Sequence, residues 1–330
     1  MKGMTDTDEA QTETTPSVRR LDLTSTESGE VAGVAEAILT QNQGRAFTAY
    51  VEAVRIAAEN LPPRLRRFLV ESRVIESEVF LVSGLPLSSD LAPTPAGWVA
   101  AEQLGAGLAE ELVLLLCGSL VGDPFSWSTQ QKGRLVHDVC PSPNAERSLT
   151  SASSRAALSL HTEDVHHPCR ADYVSLMCLR NPDATATSVV GIDAVTLPPR
   201  IRRILREDRF EFHPDHSHAG DELVRSESGP VLFGPSERPY LRFDADFVSG
   251  NDKDAADAVR QTAECLDATV EQVVLQPGDM VFLDNYRVVH GRHSFVPRYD
   301  GTDRWLKRIN LARDIRRTFR KSGSLSRVVG

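Results

Sequence analysis

The chain has no C-x-x-C pair: Cys117, Cys140, Cys169, Cys178 and Cys265 are odd in number and scattered. That excludes a zinc ribbon or a dithiol redox motif and fits free thiols in a reducing cytoplasm. Long apolar runs are also missing. The longest, LVLLLCGSLVG at 112–122, is too short to span a bilayer and reads as the end of a buried helix. The opening MKGMTDTDEAQTETTPSVRR has no apolar h-region, so no secretory signal is expected there. Nor is there an excess of basic residues. Lys and Arg number 37 against 46 Asp and Glu, a net charge of −9. This balance argues against general binding to nucleic acid or anionic membrane, and mildly favours a cationic ligand. No internal repeat is visible.

What remains is an ordinary globular composition, 41% hydrophobic and 25% charged over 330 residues, enough for one large core or two modest ones. Residues 1–30, rich in Thr, Ser, Asp and Glu, are expected to be disordered. Residues 31–330 are expected to form a single domain with a helical N-terminal flank. RAFTAYVEAVRIAAENL carries a helical period, and PPRLRRFLVES restarts a helix after two prolines. AAEQLGAGLAEELVLLLCG predicts one further helix ended by Gly118. Beyond residue 170 the texture becomes short β-rich runs, among them DYVSLMCL, ATSVVGI, YLRFDADF, MVFLDN, RVVHG and WLKRINL. Helical patterns interrupt them near 197–208 and 253–268. The fold class that follows is mainly β with flanking helices, a double-stranded β-helix or jelly roll.

With nine histidines and 46 acids, about one His-x-Asp/Glu is expected from composition alone. There are two, His161-Thr162-Glu163 and His213-Pro214-Asp215. Downstream, His290 sits in an apolar strand, where a histidine is more often a satisfied core residue than a ligand. Arg304 follows 14 residues later and Arg308 four after that, on one face of a predicted strand. Two guanidinium groups on one face are costly to bury unless each meets an anion, and an exposed basic edge is the simpler alternative. The interleaved Trp305, Ile309 and Leu311 weigh against that edge. An early His-x-Glu, a distal His and a trailing Arg have a joint chemical logic. Two imidazoles and a carboxylate on one face of Fe(II) leave three positions, for a bidentate 2-oxo acid and for O₂. The arginine would then hold the far carboxylate of 2-oxoglutarate as a two-pronged ion pair. The order of these groups along the chain selects the pair at 161–163 as the metal pair.

On these residues, and through WSTQQKGRLVHDV, LHTEDVHHPCRADYVSLMCLRNPD, HPDHSH, LRFDADF and DNYRVVHGRHSFVPRYDGTDRWLKRIN, the chain resembles the clavaminate synthase-like Fe(II)/2-oxoglutarate oxygenases. Within them it is similar to the hydroxylases of free arginine or asparagine. The resemblance implies His161, Glu163 and His290 as iron ligands, with 2-oxoglutarate and O₂ as co-substrates. It implies Arg304, helped by Thr187, at the 2-oxoglutarate C5 carboxylate, and Arg308 at the substrate α-carboxylate. Gln130, the Leu149 backbone, Ser151 and Glu163 would surround the α-amino end. Asp215, Asp244 and Asp246 would surround a guanidinium, making L-arginine the substrate and C3 the carbon attacked.

Chemistry alone leaves the acids open. As a strand, LRFDADF would send Asp244 and Asp246 out of one face about 7 Å apart. That is either a solvated acidic face or a fork for a planar cation with five donors. His166 and His167, in EDVHHPC, are expected to face solvent. The rival functions are C4 oxidation or desaturation of arginine, hydroxylation of lysine or another cationic amino acid, and a non-catalytic jelly-roll binding protein for a cationic amino acid.

Overall fold

The computed structural model describes residues 18–218 and 226–330. Two β-sheets face each other. The larger runs in the order Val18–Asp22, Val79–Ser83, Met280–Asp284, Tyr173–Arg180, Trp305–Ala312, Asp123–Trp127 and Val328–Val329, with His137–Val139 also paired to Trp305–Ala312. The smaller runs Glu271–Val273, Thr187–Gly191, Val288–Arg292, Leu158–His161. This is the double-stranded β-helix that the strand pattern predicts.

Alternation along each strand assigns its side chains to one of two buried layers. In Met280–Asp284, Met280 and Phe282 pack with the helices outside the larger sheet, while Val281 and Leu283 enter the layer between the sheets. Such strands are buried on both faces and so read as continuous apolar runs rather than alternating ones. Trp305, Ile309 and Leu311 likewise face the helices, whereas Leu306 faces the smaller sheet. The same alternation turns Arg304 and Arg308 inward. A third cluster, including Val190, Val289, Phe210 and Phe243, covers the outside of the smaller sheet with the helices Pro199–Ile204 and Lys253–Asp267.

Three local expectations need correction. Residues 18–30, read as part of a disordered tail, form the strand Val18–Asp22 and the first turns of the helix Ser25–Gln41. That strand pairs in parallel with Val79–Ser83, and Thr24 and Glu27 close a capping box at the helix start. Polar composition hid a cap and an edge strand. Residues 1–17 of the same expectation lie outside the described residues. The single helix predicted near 100–118 is two, Trp98–Leu104 and Leu108–Ser119. Gly105 (φ 58°) and Gly107 (φ 73°) adopt the left-handed conformation that breaks it, and Gly118 lies inside the second helix. Finally, LRFDADF is not a continuous strand: it pairs at Leu241, within Tyr240–Leu241, and at a single bridge between Asp244 and His161, and Asp244 opens a turn closed by the Val248 N–H on the Asp244 carbonyl. Among the described residues no helix is long and apolar enough to cross a membrane.

Candidate active site

Between the sheets lies a cavity open to solvent. Its wall includes Leu149, Ser151, His161, Glu163, Thr187, Asp215, Asp244, Asp246, His290, Arg304 and Arg308. Segments remote in sequence therefore meet at one cavity. Gln130 stands just behind the wall, its Oε1 accepting from Arg308 Nη2 at 3.0 Å.

His290, inward-facing in Val288–Arg292, pairs in register with His161 on the neighbouring strand. The two rings lie 4.4 Å apart. Glu163 Oε2 is 3.7 Å from His161 Nε2 and 3.6 Å from His290 Nε2. All three ligand atoms fit within 4.8 Å of one another, the geometry of a cage for one divalent ion. His161 Nδ1 donates to the Ser159 carbonyl at 2.8 Å, which aims Nε2 at the centre; burial would lower this imidazole, but the Glu163 and Asp244 carboxylates beside it raise it to about 9, so a metal ion bound there would displace a proton. Asn285 fixes the Glu163 backbone from both sides, accepting from its N–H at 2.7 Å and donating to its carbonyl at 3.1 Å. Burial would raise the Glu163 carboxyl, but the Arg308 guanidinium beside it holds it well below the usual range. The same burial pushes the His290 imidazole down to about 3, so this ring is a neutral donor.

Arg304 is buried, and among the described residues its one side-chain partner is Thr187, whose Oγ1 accepts from Nη2 at 3.2 Å. Its Nε is buried without a partner, and no carboxylate pairs with it among the described residues. Burial alone pulls its guanidinium down to about 10. An unpaired buried cation beside a metal cage fits an anionic co-ligand. Arg308 is also buried but is shared between Glu163, Gln130 and His137. Because a guanidinium only donates, His137 Nδ1 must accept from Arg308, and its Nε2–H then points to Ser126 Oγ at 2.9 Å. Burial, with the Arg308 charge, lowers His137 to about 3, consistent with that neutral tautomer.

At the other end of the cavity the three acids are held unequally. Asp244 is buried, and its Oδ1 accepts the N–H groups of Asp246 at 2.8 Å and Phe247 at 3.1 Å. Burial raises its carboxyl to about 6. Asp246 is exposed on the turn, so these two carboxylates are placed by a turn rather than by strand alternation. Asp215 Oδ1 takes both the N–H and the hydroxyl of Ser217, at 2.9 and 2.5 Å. The second His-x-acid pair divides: His213 binds Ser226 and Ser249, away from the metal cage.

The profile described as "Taurine catabolism dioxygenase TauD, TfdA family" matches residues 104–310. The chain belongs to this family. Its relatives include an enduracididine β-hydroxylase from Streptomyces hygroscopicus, 39% identical over 82% of this chain and 87% of that one. An L-ornithine/L-arginine 3-hydroxylase from Catenulispora acidiphila is 38% identical over 79% of this chain and 84% of its own. The non-haem iron oxygenase OrfP, solved with Fe, succinate and (3S)-hydroxy-L-Arg, superposes with a TM-score of 0.87 at 34% identity, covering 94% of this chain and 99% of that one.

Sequence reasoning missed several members of the site. His166 does not face solvent: it is buried, 4.7 Å ring to ring from His218, and burial pushes it down to about 4. His167 is partly buried against Trp127 at 4.4 Å. The expectation failed because this polar stretch packs against Trp127 and His218. Asp164, His137, Ser217, His218 and Arg292 were also overlooked. Only Asp164 carried a signal, as the second acid of the Glu163-Asp164 pair.

Proposed function

We propose that this member of the TauD/TfdA family hydroxylates free L-arginine at C3, using Fe(II), 2-oxoglutarate and O₂. One observation carries the reading: a His161–Glu163–His290 cage faces an unpaired buried arginine in the same cavity as three carboxylates. The relatives named for hydroxylating arginine, ornithine or enduracididine support the substrate class. When bound, iron and the oxo acid would supply the oxidising chemistry. The chain supplies position. His161, Glu163 and His290 would hold the metal, and Arg304 with Thr187 the far carboxylate of 2-oxoglutarate. Arg308 would turn from Glu163 and Gln130 to the substrate α-carboxylate, leaving Gln130, Ser151, the Leu149 backbone and Glu163 around the amino group. Asp215, Asp244 and Asp246 would take the guanidinium, so that a carbon near the amino end faces the metal. Five unpaired cysteines support a reducing, cytoplasmic setting.

The test is incubation with Fe(II), 2-oxoglutarate and arginine, with succinate quantified and the product analysed by mass spectrometry and NMR. Arginine gaining one oxygen at C3, with citrulline a poor substrate, is the expected result. A C4 or desaturated product would revise the carbon, and turnover of a neutral amino acid in preference to arginine would overturn the substrate. No succinate with any amino acid would leave a binding protein as the better reading.

A further inference from the structure

Directly after the metal-cage residue Glu163, Asp164 adopts the left-handed conformation (φ 50°), which is uncommon outside glycine. Its side chain is essentially inaccessible to solvent, 1% exposed. Oδ2 accepts from Trp127 Nε1 at 2.6 Å and, more distantly, from Asn310 Nδ2 at 3.4 Å. Oδ1 accepts from Gln130 Nε2 at 3.1 Å and His218 Nε2 at 3.0 Å. A buried carboxylate with this many donors is rigidly held, and it in turn constrains each donor.

Two of those donors, whose side chains meet with Gln130 Nε2 3.2 Å from His218 Nε2, lead toward different ends of the cavity. Gln130 has a two-ended carboxamide. With its Nε2 drawn to the Asp164 carboxylate, its Oε1 is left facing Arg308. Reversing the amide would set oxygen against carboxylate and NH₂ against guanidinium, two repulsive contacts in place of two attractive ones. Gln130 Nε2 also donates to Ser217 Oγ at 2.9 Å, and the Ser217 hydroxyl donates to Asp215 Oδ1. One directed chain thus runs Arg308 to Gln130 to Ser217 to Asp215. His218 closes the helical turn His216–His218, its N–H on the Asp215 carbonyl at 3.2 Å, and anchors that turn to Asp164.

We propose that Asp164 is a positioning residue that fixes the spacing between the Arg308 and Asp215 ends of the cavity, and so selects amino acids by length. This rests on the arginine reading for which groups occupy the two ends. Loosening the hub lets the Asp215 turn drift relative to Arg308. A substrate that must reach both ends then loses binding, while a shorter or longer cation is penalised less.

Asp164→Asn is isosteric, but its NH₂ must face either Trp127 and Asn310 or Gln130 and His218, all donors. The expected result in the iron-loaded enzyme is a KM for arginine raised about 10- to 100-fold, with a smaller fall in kcat. The kcat/KM preference for arginine over ornithine should narrow at least fivefold, and the thermal shift given by arginine should shrink. The KM for 2-oxoglutarate should stay within about threefold. His218→Ala, which leaves the Trp127 contact intact, should narrow the preference similarly, and His218→Gln, which keeps a donor, should recover part of it. Asp164→Asn that lowers kcat equally for arginine, ornithine and lysine with KM and preference unchanged would reduce Asp164 to packing and overturn the proposal. If that variant does not fold, His218→Ala decides: a wild-type preference overturns it. Should wild type prefer other amino acids, the arginine reading falls by itself. The spacing role is then judged by the same ratio between the two best substrates of different length.

Discussion

At the residue scale, the two inward arginines should fail differently because their surroundings differ. Among the described residues Arg304 has Thr187 and no acid, so its charge is free for an anion. Arg304→Ala should raise the KM for 2-oxoglutarate roughly 10- to 100-fold, the loss of about 1.5–3 kcal/mol from a charged hydrogen bond. Arg308 already neutralises Glu163. Arg308→Ala should therefore chiefly raise the KM for the amino acid, and also weaken the metal cage by leaving Glu163 without its cation. Initial rates against each substrate, with Fe(II) titration, check both. Equal effects of each variant on both substrates would contradict the division. The ligand cage was legible because order and spacing along the chain carry it. The hub at Asp164 was not, because its partners Trp127, Gln130, His218 and Asn310 come from separate segments and have no common spacing.

At the scale of the element, the strand Val288–Arg292 carries His290 past an irregularity in its pairing with Leu158–His161. Gly291 permits it: a Cβ there would lie 2.5 Å from the Leu158 carbonyl oxygen, a backbone atom that cannot step aside. Gly291→Ala should push the two strands apart at the register where His290 meets His161. The expected outcome is a destabilisation of about 1–3 kcal/mol, as for other overpacked sites, together with at least tenfold weaker metal binding. Denaturation and Co(II) or Fe(II) titration of the same preparation measure the two effects. Unchanged metal affinity would mean the cage does not depend on this close approach. The central strands of the two facing sheets were readable from the sequence because they are short but continuous apolar runs, whereas the edge strand Val18–Asp22 was not. The turn at Asp244 was misread because Phe243, Ala245 and Phe247 alternate with Asp244 and Asp246 as a strand would. The chain turns there because the Asp244 carboxylate accepts the Asp246 and Phe247 N–H groups, and beyond its bridge to His161 no strand pairing continues among the described residues.

At the scale of the whole molecule, the helical layer and the β-roll meet through buried charge. Lys307 is fully buried on the face of Trp305–Ala312 opposite Arg304 and Arg308. Its Nζ reaches Glu111 Oε1 on the helix Leu108–Ser119 and Asp138 Oδ1 on His137–Val139, both at 2.7 Å. Arg134 pairs with the same two acids at 2.6 and 3.0 Å. Trp305 Nε1 also donates to Asp138 Oδ1, at 2.8 Å. Two cations against two anions make the cluster neutral, which is how these charges can be buried, but removing one leaves an uncompensated charge. Lys307→Met should cost about 3–5 kcal/mol of stability near neutral pH. The sign of its pH dependence follows from Glu111, whose carboxyl is raised by burial even with Lys307 and Arg134 opposing. A raised carboxyl favours the folded state below its unfolded value and loses that contribution as pH rises through its folded value. Without Lys307 the Glu111 carboxyl rises further. The deficit of the variant relative to wild type should therefore be larger at pH 8 than near pH 5, where Glu111 can take up a proton in place of the lost cation. Adding Glu111→Gln to Lys307→Met should recover part of the loss at pH 8 and little at pH 5. Denaturant unfolding of the three variants at both pH values measures this. A deficit independent of pH and untouched by Glu111→Gln would place the effect in lost side-chain packing, not in the charge that joins the two layers.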